Sequence, residues 1–172
     1  QLRFEGREVK LVLPLIGGFL IFIVGVADDV LSLKPTTKLI AEIAVAAMFV
    51  FFGARLHWSE VEVLDMLLTM VWLVGLTNAV NLLDNMDGLC AGTAIIAGVA
   101  LLFALVDRTD VGPEMRYLAI VLGATTGFLI YNLHPASIFM GDAGSLFLGI
   151  TLAALTLTAG GPTHDRSGVV SV

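Results

Sequence analysis

The sequence predicts an all-α, polytopic membrane bundle of about six transmembrane helices, and three observations predict it. Hydrophobic residues make up 58% of the chain and charged residues 14%, against about 45–50% and about 25% in a soluble domain, so too little polar surface is left to face water. The apolar residues gather in six runs separated by short polar stretches. Acidic residues stand at junctions between runs, where a carboxylate in a membrane is costly unless it binds something.

Each element follows from the chain in order. Residues 1–10 carry Arg3, Glu5, Arg7, Glu8 and Lys10 and read as a polar flank. Span A covers residues 11–27. Pro14 lies near its start, where a missing N–H costs least, and Gly17, Gly18 and Gly25 suit close helix packing. Several further runs follow it and no A-x-A-like site does, so it is not a secretory signal. Asp28 and Asp29 close the span. Thr36 or Thr37 is expected to cap span B, residues 38–53, in which Glu42 stands four residues after Lys38 as its expected helix-face partner.

A polar connection at 54–65 holds Arg55, His57, Trp58, Glu60 and Glu62, with Trp58 fitting an interfacial anchor. Span C covers 66–83 and span D 91–106. A second connection at 107–114 leads to span E, 115–133, and span F covers 146–159 before Gly160–Pro162 breaks the pattern. Several runs are near the lower limit of about 17–25 residues needed to span a bilayer. The lone cysteine, Cys90, excludes an intrachain disulfide framework and reads as a small apolar residue.

Six spans place three acidic junctions on one membrane face. These are VADDV at 26–30, NAVNLLDNMDGLCAG at 78–92 and IFMGDAGS at 138–145. The stretch 78–92 is the expected organising centre, with Asn78, Asn81, Asp84 and Asp87 in ten residues. The charge count does not orient the bundle. Lys34 and Lys38 lie on the acidic face, and Arg3, Arg7, Lys10, Arg55, Arg108 and Arg116 on the other, so the positive-inside rule alone would put the acids outside.

Asp28, Asp29, Asp84, Asp87 and Asp142 on one face repel one another unless a cation or protons intervene. Oxygen ligands without a histidine cluster favour a hard ion, Mg²⁺ with Mn²⁺ as a substitute, bridging a diphosphate. Lys38 is expected to hold a phosphate as a point charge. Gly141 and Gly144 permit close backbone approach, and the amides that open span F at Ser145 suit an anion. His134 reads either as a solvated loop residue or as a nucleotide contact. The net charge of −6 argues against nucleic acid. A transporter or channel subunit using the aspartates as a cation path is the alternative, although transporters place such groups near the midplane.

VADDV with Lys38 downstream, NAVNLLDNMDGLCAG and NLHPASIFMGDAGSLFLG, in that order at membrane junctions, resemble the polyprenyl-phosphate N-acetylhexosamine-1-phosphate transferase family. The resemblance runs from span A to span F and implies transfer of a sugar 1-phosphate, GlcNAc-1-phosphate, from a UDP-sugar to undecaprenyl phosphate with release of UMP. This would be the first membrane step of a cell-envelope polysaccharide. It implies a multi-pass protein of the inner membrane, possible as a homodimer, with its active site on the cytoplasmic face. It places Asp28 and Asp29 at the lipid-phosphate and metal end, with Asp28 a candidate base and metal neighbour. Asp142 becomes the Mg²⁺ ligand, and Asn81, Asp84 and Asp87 line the nucleotide-sugar site with Asn78 and Asn132 nearby. Lys38 matches the phosphate-contacting lysine. Asn85 in DNMDGL stands where the pentapeptide-translocase branch carries glycine, which favours the GlcNAc-1-phosphate branch. Residues 1–172 are expected to form one membrane domain, a fragment lacking the family's first helices, its later histidine-containing loop and its C-terminal part. His134 does not substitute for that histidine.

Overall fold

The computed structural model describes residues 7–56, 58, 59, 61–106 and 112–159. The flank at 1–6, His57, Glu60, most of the second connection and the break at 160–162 lie outside the described residues. Among those described, the helices are α1 (Arg7–Leu31), α2 (Pro35–Phe51), α3 (Glu62–Leu83), α4 (Leu89–Val106), α5 (Pro113–Asn132) and α6 (Gly141–Ala159). They correspond one to one with the six apolar runs.

Their ends differ from the runs most clearly at two of the acidic junctions, where α1 and α6 continue into polar residues. α1 carries Asp28 and Asp29 in its last turns instead of ending before them. α6 begins at Gly141, so Asp142, Gly144 and Ser145 belong to its first turn. The reason is that an apolar run marks the part of a helix buried in lipid or protein, whereas first-turn amides have no intrahelical partner and favour polar company. The expected threonine cap of α2 does not form. Lys34 is the cap residue, makes no side-chain cap bond, and is followed by Pro35 in the first turn. α1 stops at Ser32, whose φ of 50° and N–H to the Asp28 carbonyl at 2.8 Å give a left-handed C-cap.

Three helical segments, Leu11–Leu31, Glu62–Leu83 and Leu89–Val106, are long and apolar enough to cross a membrane. Their outward residues, among them Phe19 and Ile23 on α1, Val71 on α3 and Phe103 on α4, are large and exposed. A helix satisfies its own backbone, so such a face can meet hydrocarbon without further cost.

α6, not the stretch 78–92, is the centre of the bundle. It packs against α1, α3 and α4. Leu146, Ile150 and Ala153 join one hydrophobic cluster with Ile21, Phe49 and Leu73. Leu148, Leu152 and Leu155, on its other side, join a second with Val80, Leu118 and Cys90. Two glycines let its neighbours approach. A Cβ on Gly25 would lie 2.4 Å from the Ala143 backbone, and one on Gly149 would lie 2.7 Å from Thr77 Cα.

The alternation of crossings brings the C-terminal ends of α1, α3 and α5 together with the N-terminal ends of α2, α4 and α6. At the opposite end the α2–α3 connection is fastened down. Asp65 accepts the Trp58 and Ser59 amides at 3.2 and 2.9 Å, Thr69 Oγ1 accepts the Leu56 amide at 2.9 Å, and Arg55 pairs with Glu62. Trp58 is exposed, as an interfacial anchor would be, and meets Trp72 edge-on with ring centroids 6.1 Å apart. Trp72 Nε1 donates to Thr156 Oγ1 at 2.8 Å.

Candidate functional site

The acidic end is a chain of charged hydrogen bonds linking four helices. Asp28 Oδ1 accepts the Leu33 amide at 2.7 Å, which turns its second oxygen toward α2. There Lys38 Nζ donates to Asp28 Oδ2 at 2.9 Å and to Asp142 Oδ2 at 2.6 Å. The other Asp142 oxygen accepts from Asn81 Nδ2 at 2.6 Å. Asn81 Nδ2 also reaches Ser145 Oγ at 2.8 Å, and that hydroxyl donates to the Gly141 carbonyl at 2.9 Å. One ammonium is thus shared by two carboxylates, which leaves the trio with a net negative charge, and each of its charge-assisted hydrogen bonds is about twice as strong as a neutral one.

Asp29 turns the other way. Its oxygens accept the amides of Asp142 and Ala143 at 2.8 and 3.0 Å. The anion expected on the first amides of α6 is therefore a carboxylate tethered on α1. Asp29 can occupy them because Gly141, at φ 66°, brings the backbone in; a Cβ there would stand 2.9 Å from Asp29 Oδ2. Asp84, just after α3, receives the Gly141 amide. Its burial pushes the carboxyl above the usual range, that hydrogen bond opposes the shift, and the nearby Asp142 and Asp29 charges reinforce it.

Asp87 stands apart from this group. Its Oδ2 accepts from His134 Nδ1 at 2.9 Å and from the Ala136 amide at 3.1 Å. The His134 hydrogen bond holds the carboxyl below the usual range, with the Ala136 amide adding to it. Because an ionised carboxylate only accepts, His134 must carry its proton on Nδ1. His134 thus ties the loop before α6 to the turn before α4. Asn132 makes the same connection from inside. It is 3% exposed, accepts the Gly88 amide at 3.0 Å and donates to the Ile138 carbonyl at 2.9 Å, so both ends of its amide are committed.

One further expectation is corrected. Lys38 does not pair with Glu42, because Asp28 and Asp142 offer it two tertiary carboxylates. Glu42 is buried instead and accepts from Asn78, whose amide also donates to the Val74 carbonyl at 3.0 Å. Asn78 therefore sits one turn before Asn81 on α3, beside Glu42. Sequence reading missed this role of Glu42; the signal available was an acid within an apolar run.

Among the described residues no three His, Cys, Asp or Glu side chains converge into a ready-made metal cage. The donors present still fit Mg²⁺, which takes one or two carboxylates and completes its shell with water and phosphate oxygens. Asp28 and Asp142 already turn toward one shared positive charge, and every nearby ligand is oxygen or amide.

Residues 11–160 match the Glycosyl transferase family 4. The chain is 36% identical over 159 residues to the probable undecaprenyl-phosphate N-acetylglucosaminyl 1-phosphate transferase of Bacillus subtilis (strain 168), covering 87% of this chain and 44% of that protein. It is 37% identical over 173 residues to the decaprenyl-phosphate N-acetylglucosaminephosphotransferase of Mycobacterium tuberculosis (strain ATCC 25618 / H37Rv), covering 89% and 42%. A phospho-N-acetylmuramoyl-pentapeptide-transferase of Halalkalibacterium halodurans is 38% identical over 181 residues, covering 92% and 54%. The chain spans about half the length of the curated relatives it matches. With the family matched over six consecutive helices and the acidic junctions gathered at one end, this chain belongs to glycosyl transferase family 4, a family of multi-pass membrane proteins.

Proposed function

We propose that the protein transfers GlcNAc-1-phosphate from UDP-GlcNAc to undecaprenyl phosphate, releasing UMP, at the cytoplasmic face of the bacterial inner membrane. This would start a cell-envelope polysaccharide. The observation that carries the reading is the Asp28–Lys38–Asp142–Asn81 chain at the end of an apolar bundle, where a lipid headgroup and a water-soluble nucleotide can meet. Relatives named for GlcNAc-1-phosphate transfer and Asn85 in DNMDGL support the sugar.

In the reaction an oxygen of the lipid phosphate attacks the sugar-bearing phosphorus of the UDP-sugar. A new P–O bond forms, the P–O bond to UMP breaks, and UMP leaves with the electron pair. Lipid phosphate, with a second pKa of about 6, is largely ionised at neutral pH, so Asp28 matters more for positioning than for removing a proton. Lys38 supplies a point charge for phosphate oxygens, and Asp28 holds it there. Asn81 fixes the orientation of Asp142 and Asp29 fixes the helix start that carries it. Asp142 and Asp28 would hold Mg²⁺, which when bound would supply neutralisation of phosphate charge. Asp84 and Asp87, on the turn between α3 and α4, would line the nucleotide-sugar side of the site. No observation favours a cation path, since the acids lie at helix ends.

The test is UMP release by the intact protein in detergent with undecaprenyl phosphate, UDP-GlcNAc and Mg²⁺. Release that requires both lipid and metal, and falls by about 10²–10³ in Asp142→Asn, is expected for loss of a charge-stabilising group. Absence of UMP with every common UDP-sugar, from folded protein, would overturn the reading.

A further inference from the structure

Glu42 and Asn78 lie one helical turn below the acidic chain, on the two helices that supply its cation and its amide. Glu42 follows Lys38 by four residues on α2, and Asn78 precedes Asn81 by three on α3, so each shares a helix face with the site residue above it. Glu42 is 2% exposed, and Asn78 Nδ2 donates to its carboxylate. Its other oxygen, Oε1, is buried and has no hydrogen-bond partner among the described residues. A leucine of similar size would pack there without orphaning an oxygen, so packing does not explain the acid. What the acid does is hold Asn78, and through it the two helices, in one register.

We infer that Glu42 and Asn78 are a positioning pair that sets the spacing of Lys38 and Asn81 about Asp142. Lys38 and Asn81 grip opposite oxygens of Asp142 from α2 and α3, so a slip between these helices moves both grips at once. Neither member of the pair touches a reacting atom. The pair places the groups that do, and Asn78 belongs to it rather than to the substrate contacts.

The kinetic arm of the test rests on the transferase reading and uses the intact protein in detergent. Glu42→Leu and Asn78→Leu are each expected to lower kcat about tenfold to a hundredfold while KM for the UDP-sugar changes less than about twofold, the pattern of a misplaced reactive group. The double variant is expected to be no slower than the worse single, because both remove one interaction. Glu42→Gln offers the same amide a carbonyl oxygen and is expected to restore kcat to within about threefold. A second arm needs no activity. Hydrogen exchange at residues 36–41 and 141–145 is expected to quicken in Glu42→Leu and not in Glu42→Gln. Wild-type kcat in Glu42→Leu, a Gln variant as slow as the Leu variant, or unchanged exchange at both segments would overturn the pair. If the wild type releases no UMP, the transferase reading fails, and the exchange comparison still decides the pair.

Discussion

Single side chains at the acidic end do different work, and substitution separates them. Asp29 caps α6 from another helix, so Asp29→Ala leaves two first-turn amides without their acceptor and is expected to cost about 0.5–2 kcal/mol. Asp29→Asn keeps one acceptor oxygen and is expected to lose less, as denaturant titration in mixed micelles can measure. Asp87 gives a pH dependence of known sign. Its carboxyl is lowered by His134 and Ala136, so its contribution is complete above the ordinary value of about 3.9 and is lost as pH falls through the lowered value. Asp87→Asn is expected to flatten the stability profile in that acid window and to lower stability at neutral pH, where the carboxylate's contribution is complete. The sequence made these acids conspicuous, since carboxylates at apolar junctions are rare. It did not give their partners. The helix-spacing rule pairs Lys38 with Glu42, yet two carboxylates from α1 and α6 outweigh one from the same helix, and that competition depends on tertiary register.

At the level of whole helices, α6 makes every other position intelligible. It is largely apolar on all sides because it is surrounded; its one charged residue, Asp142, lies in the first turn, where the site is, and the threonines further along, Thr151 and Thr156, find hydrogen-bond partners inside the bundle. Its close approaches to α1 and α3 predict sharply different outcomes for chemically identical changes. Gly25→Ala and Gly149→Ala press a methyl into neighbouring backbone and are each expected to destabilise by about 1–3 kcal/mol. Gly75→Ala meets nothing within 4 Å in the middle of α3 and is expected to stabilise by about 0.5–1 kcal/mol through helix propensity. Thermal unfolding of the three variants in one detergent checks this. The six runs were legible because apolar length is written directly in the residues. The true helix starts at Pro35 and Gly141 were not, because polar first-turn residues look like loop until something is seen to bind their amides.

For the molecule as a whole, an even number of crossings separates two ends of opposite character. One gathers the carboxylates and the other is pinned by Asp65, Thr69 and the Arg55–Glu62 pair. That division was readable from the count of spans alone. Which end faces the cytoplasm was not, because the basic residues are few and lie against the proposed side. Cys90 is 1% exposed and leaves a quiet background for thiol labelling. Ser137→Cys, beside the site, is expected to react with an impermeant maleimide from the cytoplasmic side only, and Val61→Cys, at the far end, from the outer side only. The reverse pattern would overturn the proposed orientation.

Both tryptophans of the chain lie away from the acidic end, Trp58 in the α2–α3 connection and Trp72 halfway along α3, where they meet edge-on and Trp72 is tied to Thr156. The protein therefore carries a native optical gauge placed remote from its chemistry. Ultraviolet emission should stay constant when ligands merely dock among the aspartates. A spectral shift upon adding nucleotide sugar would instead time a mechanical stroke passing along α3 and α6 from one membrane surface to the other.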